Sequence, residues 1–103
     1  MIDVTTVLLG PYGTQMLGDM GADIIKVEGP PVGDIARNMG NSRNVNMSGV
    51  FVNLNRNKRS LALDLKQDQA KEVLRRLIPT ADVFVHNMRP NAMAGLGFDY
   101  EAV

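Results

Sequence analysis

Strand-like and helix-like segments alternate along the 103 residues, which predicts an α/β fold with a mainly parallel sheet and flanking helices. Two segments carry most of that prediction. Asp23 to Glu28 (Asp-Ile-Ile-Lys-Val-Glu) reads as a strand, whereas Asp68 to Ile78 repeats its apolar residues at helical spacing. Composition supports a packed core: 45% of the residues are apolar and 21% charged, values ordinary for globular chains. The length suits one domain, residues 1–103, and no internal repeat or linker divides it.

Ile2 to Val4, running on towards Leu9, reads as the first strand. Gly10-Pro11 breaks it, with Pro11 suited to a helix start, and Thr14 to Met20 forms a short helix ended by Gly21. Asp23 to Glu28 is the second strand. Residues Gly29 to Gly49 hold two prolines, three further glycines and four asparagines, so they read as a long irregular loop of the kind that usually serves function. Phe51 to Leu54 and Ser60 to Leu65 read as extended, the second more clearly, and Asn55-Arg56-Asn57-Lys58-Arg59 separates them. From Asp68 to Ile78, Ala70, Val73, Leu74, Leu77 and Ile78 form one buried stripe; Glu72 can pair with Arg76, and Pro79 ends the helix. Val83 to His86 is a short strand, followed by the turn Asn87 to Asn91 and a helical stretch to Leu96. Asp99 to Val103 reads as the first turn of another helix.

Net charge is zero, from eleven basic and eleven acidic residues, so no global excess exists to hold nucleic acid or an anionic membrane. The absence of cysteine removes disulfides, thiolate nucleophiles and cysteine metal sites, and His86 is the one histidine, so a metal centre is not expected. No stretch approaches a membrane span or a signal peptide, and the chain reads as cytoplasmic. The order of charges is more informative than their sum. Five acids and one base precede Arg37; no acid then occurs up to Leu63, while Arg37, Arg43, Arg56, Lys58 and Arg59 do. Two readings of that basic block stay open: a site for a phosphate-bearing ligand, or solvated cations paired with the acidic first segment.

Strand, glycine-containing turn, helix and strand from Met1 to Glu28 follow the order of a dinucleotide-binding fold, and Glu28 stands where such folds place a ribose-binding acid. Gly10-Pro11-Tyr12-Gly13 does not supply the phosphate fingerprint, and Pro11 lacks an N–H to offer. The glycines are therefore read as a tight turn. Asp3, Asp23 and Asp82, at strand starts, read as turn or capping residues, His86 as a packed one, and the seven methionines as core or interface filling.

Ordered strings extend these observations. Val7-Leu8-Leu9-Gly10-Pro11-Tyr12, Gly21 to Glu28, Gly33-Asp34 with Arg37, Asn55-Arg56-Asn57-Lys58-Arg59-Ser60 followed by Leu63-Asp64-Leu65-Lys66, and then Ala81-Asp82-Val83, Asn87, Arg89-Pro90 and Leu96-Gly97 resemble the N-terminal segment of the family III CoA-transferases. The resemblance covers essentially the whole sequence. It implies a Rossmann-like domain in an interlocked homodimer, with acyl-CoA and a carboxylic acid as substrates and no covalently bound cofactor. In the family's transferases an aspartate attacks the thioester and forms acyl-aspartyl anhydrides; in its α-methylacyl-CoA racemases a histidine and an aspartate move the α-proton.

That aspartate is expected beyond Val103, so the sequence is expected to be an N-terminal piece, open at both ends, with no catalytic residue of its own. By motif position the resemblance assigns CoA contacts to Leu8 and Leu9, to Leu63, Asp64, Leu65 and Lys66, and to Asn87, Met88 and Arg89. Lys66 would meet phosphate, and the Asn87 region the pantetheine and adenine ends; Arg37, Lys58 and Arg59 are further phosphate candidates. All three strings fall at carboxyl ends of expected strands, where open α/β sheets bind ligands. Leu8, Gly29 and Gly95 stand where many members carry polar or arginine residues, and Asn91 where many carry glycine. A non-enzymatic CoA or nucleotide-binding module is the reading from another class.

Overall fold

The computed structural model describes residues 1–103. Its strands are β1 (Ile2–Asp3), β2 (Ile24–Glu28), β3 (Lys58–Ala62) and β4 (Phe84–Val85); all pair in parallel, in the order β3-β2-β1-β4. Its helices are α1 (Leu9–Asp19), α2 (Gly49–Leu54), α3 (Asp68–Leu77) and α4 (Pro90–Leu96). The chain steps outward from β1 to β3 and then crosses back to lay β4 on the other side of β1. That reversal makes a switch point between β1 and β4, the place where doubly wound sheets open a crevice. The α/β class and the parallel sheet read from the sequence are those observed.

Ile2, Val4, Val27, Leu74, Met93 and Phe98 form the core, joined by partly buried Leu63, Leu65, Leu77 and Phe84. The stripe read between Asp68 and Ile78 supplies Leu74 and Leu77 from α3. Asp68 sits in its first turn and Arg75 and Arg76 in its last, each favourable to the helix dipole, and Arg76 Nε lies 2.9 Å from Glu72 Oε1. Gly97, at φ 81°, ends α4 and turns the chain so that Phe98 reaches the core.

Several elements depart from the sequence reading. Helix α1 begins at Leu9 rather than Thr14, because Pro11 falls in its first turn, where backbone N–H groups have no intrahelical acceptor and a missing one costs nothing. Phe51 to Leu54 is helical, not extended: Ser48 accepts from Phe51 N at 3.1 Å and caps α2, a signal that outweighs the β-branched residues beside it. β3 starts at Lys58 and leaves the sheet after Ala62, although Leu63 N still donates to Glu28 O at 2.9 Å. The long loop holds a 3₁₀ turn at Ile35–Asn38 capped by Asp34, and Asp99 to Val103 forms a turn rather than a helix start. No helix is long and apolar enough to cross a membrane.

Candidate functional site

The carboxyl ends of the strands lead into four segments: Val4 to Val7, Glu28-Gly29, Leu63 to Lys66, and His86 to Met88. Between them lies a cavity of about 330 Å³ lined by Val4, Thr6, Val27, Glu28, Gly29, Gly33, Asp34, Leu63, Asp64, Leu65, Lys66, Met88 and Leu96. Its lining sets apolar Val4, Val27, Leu63, Leu65, Met88 and Leu96 beside polar Thr6, Glu28, Asp34, Asp64 and Lys66. Lys66 is the one cation in that lining, and no carboxylate pairs with it. The Lys66 backbone N–H donates to Asp64 Oδ1 at 3.1 Å, which closes the turn that carries both side chains.

Of the residues assigned by motif, Leu63, Asp64, Leu65, Lys66 and Met88 come together in this lining. Asn87 stands beside it and ties the two sides of the switch point: its Oδ1 accepts from Thr6 N at 3.0 Å and its Nδ2 donates to Thr6 O at 2.8 Å. Arg89 precedes α4, outside the lining. Leu8 and Leu9 enter α1 one turn beyond Thr6 and are 51% and 84% exposed.

The other cations are disposed differently. Lys26, Arg37, Arg56, Lys58 and Arg59 line a second cavity, of about 320 Å³, beside α2 and β3. Each is matched to one acid of the first segment: Lys26 to Asp34 (2.8 Å), Arg37 to Glu28 (2.7 Å), Arg56 to Asp19 (2.7 Å), Lys58 to Asp3 (2.9 Å) and Arg59 to Asp23 (2.7 Å). Those five acids are all that precede Arg37; of the five cations of the basic block, Arg37, Arg56, Lys58 and Arg59 take four of them and Arg43 takes none. Arg37, Lys58 and Arg59, the further phosphate candidates, are thus each paired with a carboxylate; Lys58 and Arg59 also start β3, at the opposite end of the strand from the cavity that holds Lys66. Glu28 is likewise no ribose acceptor, because it takes hydrogen bonds from Arg37, Ser60 and the Asp34 N–H.

Charges buried this deeply require partners, and the sequence reading missed how many there are. Asp3, read as a turn residue, is fully buried and accepts from Thr5, Thr14 and Lys58. Burial pushes the Asp3 carboxyl up, yet hydrogen bonds from Thr14, Thr5 and Lys58 outweigh it and hold the group below its ordinary value. Glu28 behaves alike: burial raises it, and Arg37, Ser60 and the Asp34 N–H bring it below. Hydrogen bonding to Glu28 in turn raises Arg37. Gly33 makes room for that pair, since a Cβ on its backbone, at φ 73°, would stand 3.0 Å from Arg37 Nε. The signal that could have found the network is Lys26 itself, a charge in the middle of an apolar strand. His86 packs against Phe84, and its buried Nδ1 has no protein partner.

A parallel sheet with a switch point, and a cavity of this kind at its carboxyl edge, defines a Rossmann-like domain. The pattern of CoA-transferase family III matches residues 1–103, and the chain belongs to that family. It is 38% identical over 103 residues to the human succinyl-CoA:glutarate CoA-transferase, covering all of this chain and 24% of that protein. To the formyl-CoA:oxalate CoA-transferase of Rhodopseudomonas palustris (strain BisA53) it is 47% identical over 104 residues, again all of this chain and 24% of the other. A crystal structure of a CAIB/BAIF family protein from Brucella suis superposes with a TM-score of 0.89 at 36% identity, over 98% of this chain and 28% of that one. The chain thus spans about a quarter of the length of the curated relatives it matches.

Proposed function

We propose that this chain supplies part of the CoA-binding surface of an acyl-CoA:carboxylate CoA-transferase. The observation that carries the reading is the cavity at the carboxyl ends of the strands, where Leu63, Asp64, Leu65 and Met88 meet Lys66, the lining cation without a carboxylate partner. An ammonium left unpaired beside an apolar cavity suits a ligand with a phosphate at one end and an uncharged arm at the other. Leu8 and Leu9 would border that arm, with Asn87 and Arg89 at the second rim. Relatives with matching segments are named for transfer of CoA between acyl groups and dicarboxylates, which favours transfer over α-proton racemisation and over a non-enzymatic module.

In the reaction an aspartate attacks the thioester carbonyl and expels CoA as its thiolate, leaving an acyl-aspartyl anhydride. The thiolate attacks the aspartyl carbonyl and releases the first carboxylate, the second carboxylate displaces CoA to form a new anhydride, and the thiolate takes the second acyl group and frees the aspartate. The nucleophile would lie outside residues 1–103, so the 103-residue chain by itself is expected to transfer nothing. The whole protein would act in the cytoplasm as an interlocked homodimer.

Titration calorimetry with CoA on the complete protein tests the reading. Lys66→Ala is expected to weaken binding roughly 10- to 100-fold, the worth of one charge-assisted hydrogen bond. Arg59→Ala, at a cation already paired with Asp23, is expected to change it little. Equal affinity for wild type and Lys66→Ala would remove the reading's main support.

A further inference from the structure

Val7 has a φ of 73°, in the left-handed region that a β-branched residue enters only when its surroundings hold it there. Val7 N–H donates to both Asp34 oxygens, at 3.0 and 3.3 Å. Asp34 is buried; its Oδ2 lies 2.8 Å from Lys26 Nζ, its Oδ1 accepts from Ala36 N at 2.9 Å, and its own N–H donates to Glu28 Oε1 at 3.1 Å. Lys26 Nζ also donates to Thr5 O at 2.9 Å, and Asn87 grips both backbone groups of Thr6. Residues 5, 6 and 7 are therefore each held by a different side chain from another part of the fold.

We infer that Asp34, clamped by Lys26, is a positioning residue that keeps Val7 in this conformation and so aims Leu8 and Leu9 at the ligand. Thr6, which precedes Val7, and Asp34, which holds it, both line the cavity, so the turn meets its wall through them. Beyond it Leu8 and Leu9 stand exposed, contributing apolar surface that the core does not use. If Val7 relaxed to negative φ, the chain would enter α1 in another direction, Thr6 would shift in the cavity wall and the apolar surface of Leu8 and Leu9 would turn away from its mouth. The inference rests on the CoA-binding reading given above.

The test is a rescue, read as CoA affinity on the complete protein with Tm as the check on folding. Asp34→Asn, which loses one oxygen acceptor and the ion pair, is expected to weaken CoA roughly tenfold or more. Adding Val7→Gly is expected to restore most of that loss, because glycine holds a positive φ without a clamp. A purely structural role for Asp34 predicts no rescue, and no rescue overturns the inference, as does unchanged affinity in Asp34→Asn. Should Asp34→Asn fail to fold, Val7→Pro against Val7→Gly decides it: proline cannot take a positive φ and should bind roughly tenfold more weakly than glycine at residue 7, and equal affinities overturn it. Wild type that does not bind CoA fails the functional reading instead, so the two failures are distinguishable.

Discussion

Lys26 occupies the centre of β2 between Ile25 and Val27 and is 1% exposed, although an ammonium is among the costliest groups to bury. It is tolerated because Asp34 and the Thr5 carbonyl replace its water. Removing one member of such a pair strands the other. Lys26→Met is therefore expected to destabilise the fold by about 3–5 kcal/mol despite matching the volume, measured as the shift in a denaturant unfolding midpoint. A cost near zero would mean that Asp34 finds another partner. The same residue shows where sequence reading stops: that a lysine lies in an apolar strand is plain, but its acceptor, eight residues on, is fixed by the course of an irregular loop.

At the scale of elements, α1 packs its start against the end of β1 through Gly10. A Cβ at that residue would come within 2.7 Å of Thr5 Cγ2, and Thr5 is itself held by Asp3. Gly10→Ala is thus expected to cost about 1–3 kcal/mol by overpacking, read as a fall in Tm, even though alanine is the better helix former. An unchanged or raised Tm would show that propensity wins. The sequence marked Gly10-Pro11 as the break between strand and helix, but β1 already ends at Asp3 and Gly10-Pro11 falls inside the first turn of α1. The segment misjudged outright, Phe51 to Leu54, belongs to α2, a helix of six residues; so short an element is decided by the Ser48 cap and by burial of Phe51 rather than by periodicity.

Across the whole molecule, acids from the first segment are bound to cations from the next, and that arrangement sets the response to acid. Asp3 and Glu28 are held below the ordinary carboxylate range in the folded state. The unfolded chain therefore takes up protons at a higher pH than the folded one. Their contribution is present above the unfolded value, about pH 4, and is lost as pH falls through the folded value. Scanning calorimetry should find Tm nearly level from about pH 7 to about pH 5 and falling below about pH 4. A Tm that stays level down to about pH 3 would contradict the network's role.

By itself the sequence determined the alternation of strands and helices, and with it the parallel sheet, because each segment's periodicity and turn residues are local properties of the chain. Its ordered motifs likewise determined the family, and they pointed to Leu63 through Lys66 as a group that the fold does gather in one cavity. Only the tertiary structure decided which cations are free. The sums of charge were visible, but Lys58 meets Asp3 across 55 positions, and Arg59 meets Asp23 because the parallel register sets Arg59 against Ile25. Electrostatic pairing depends on distance in space, and distance in space between remote residues follows from strand register and crossover, which no local pattern encodes.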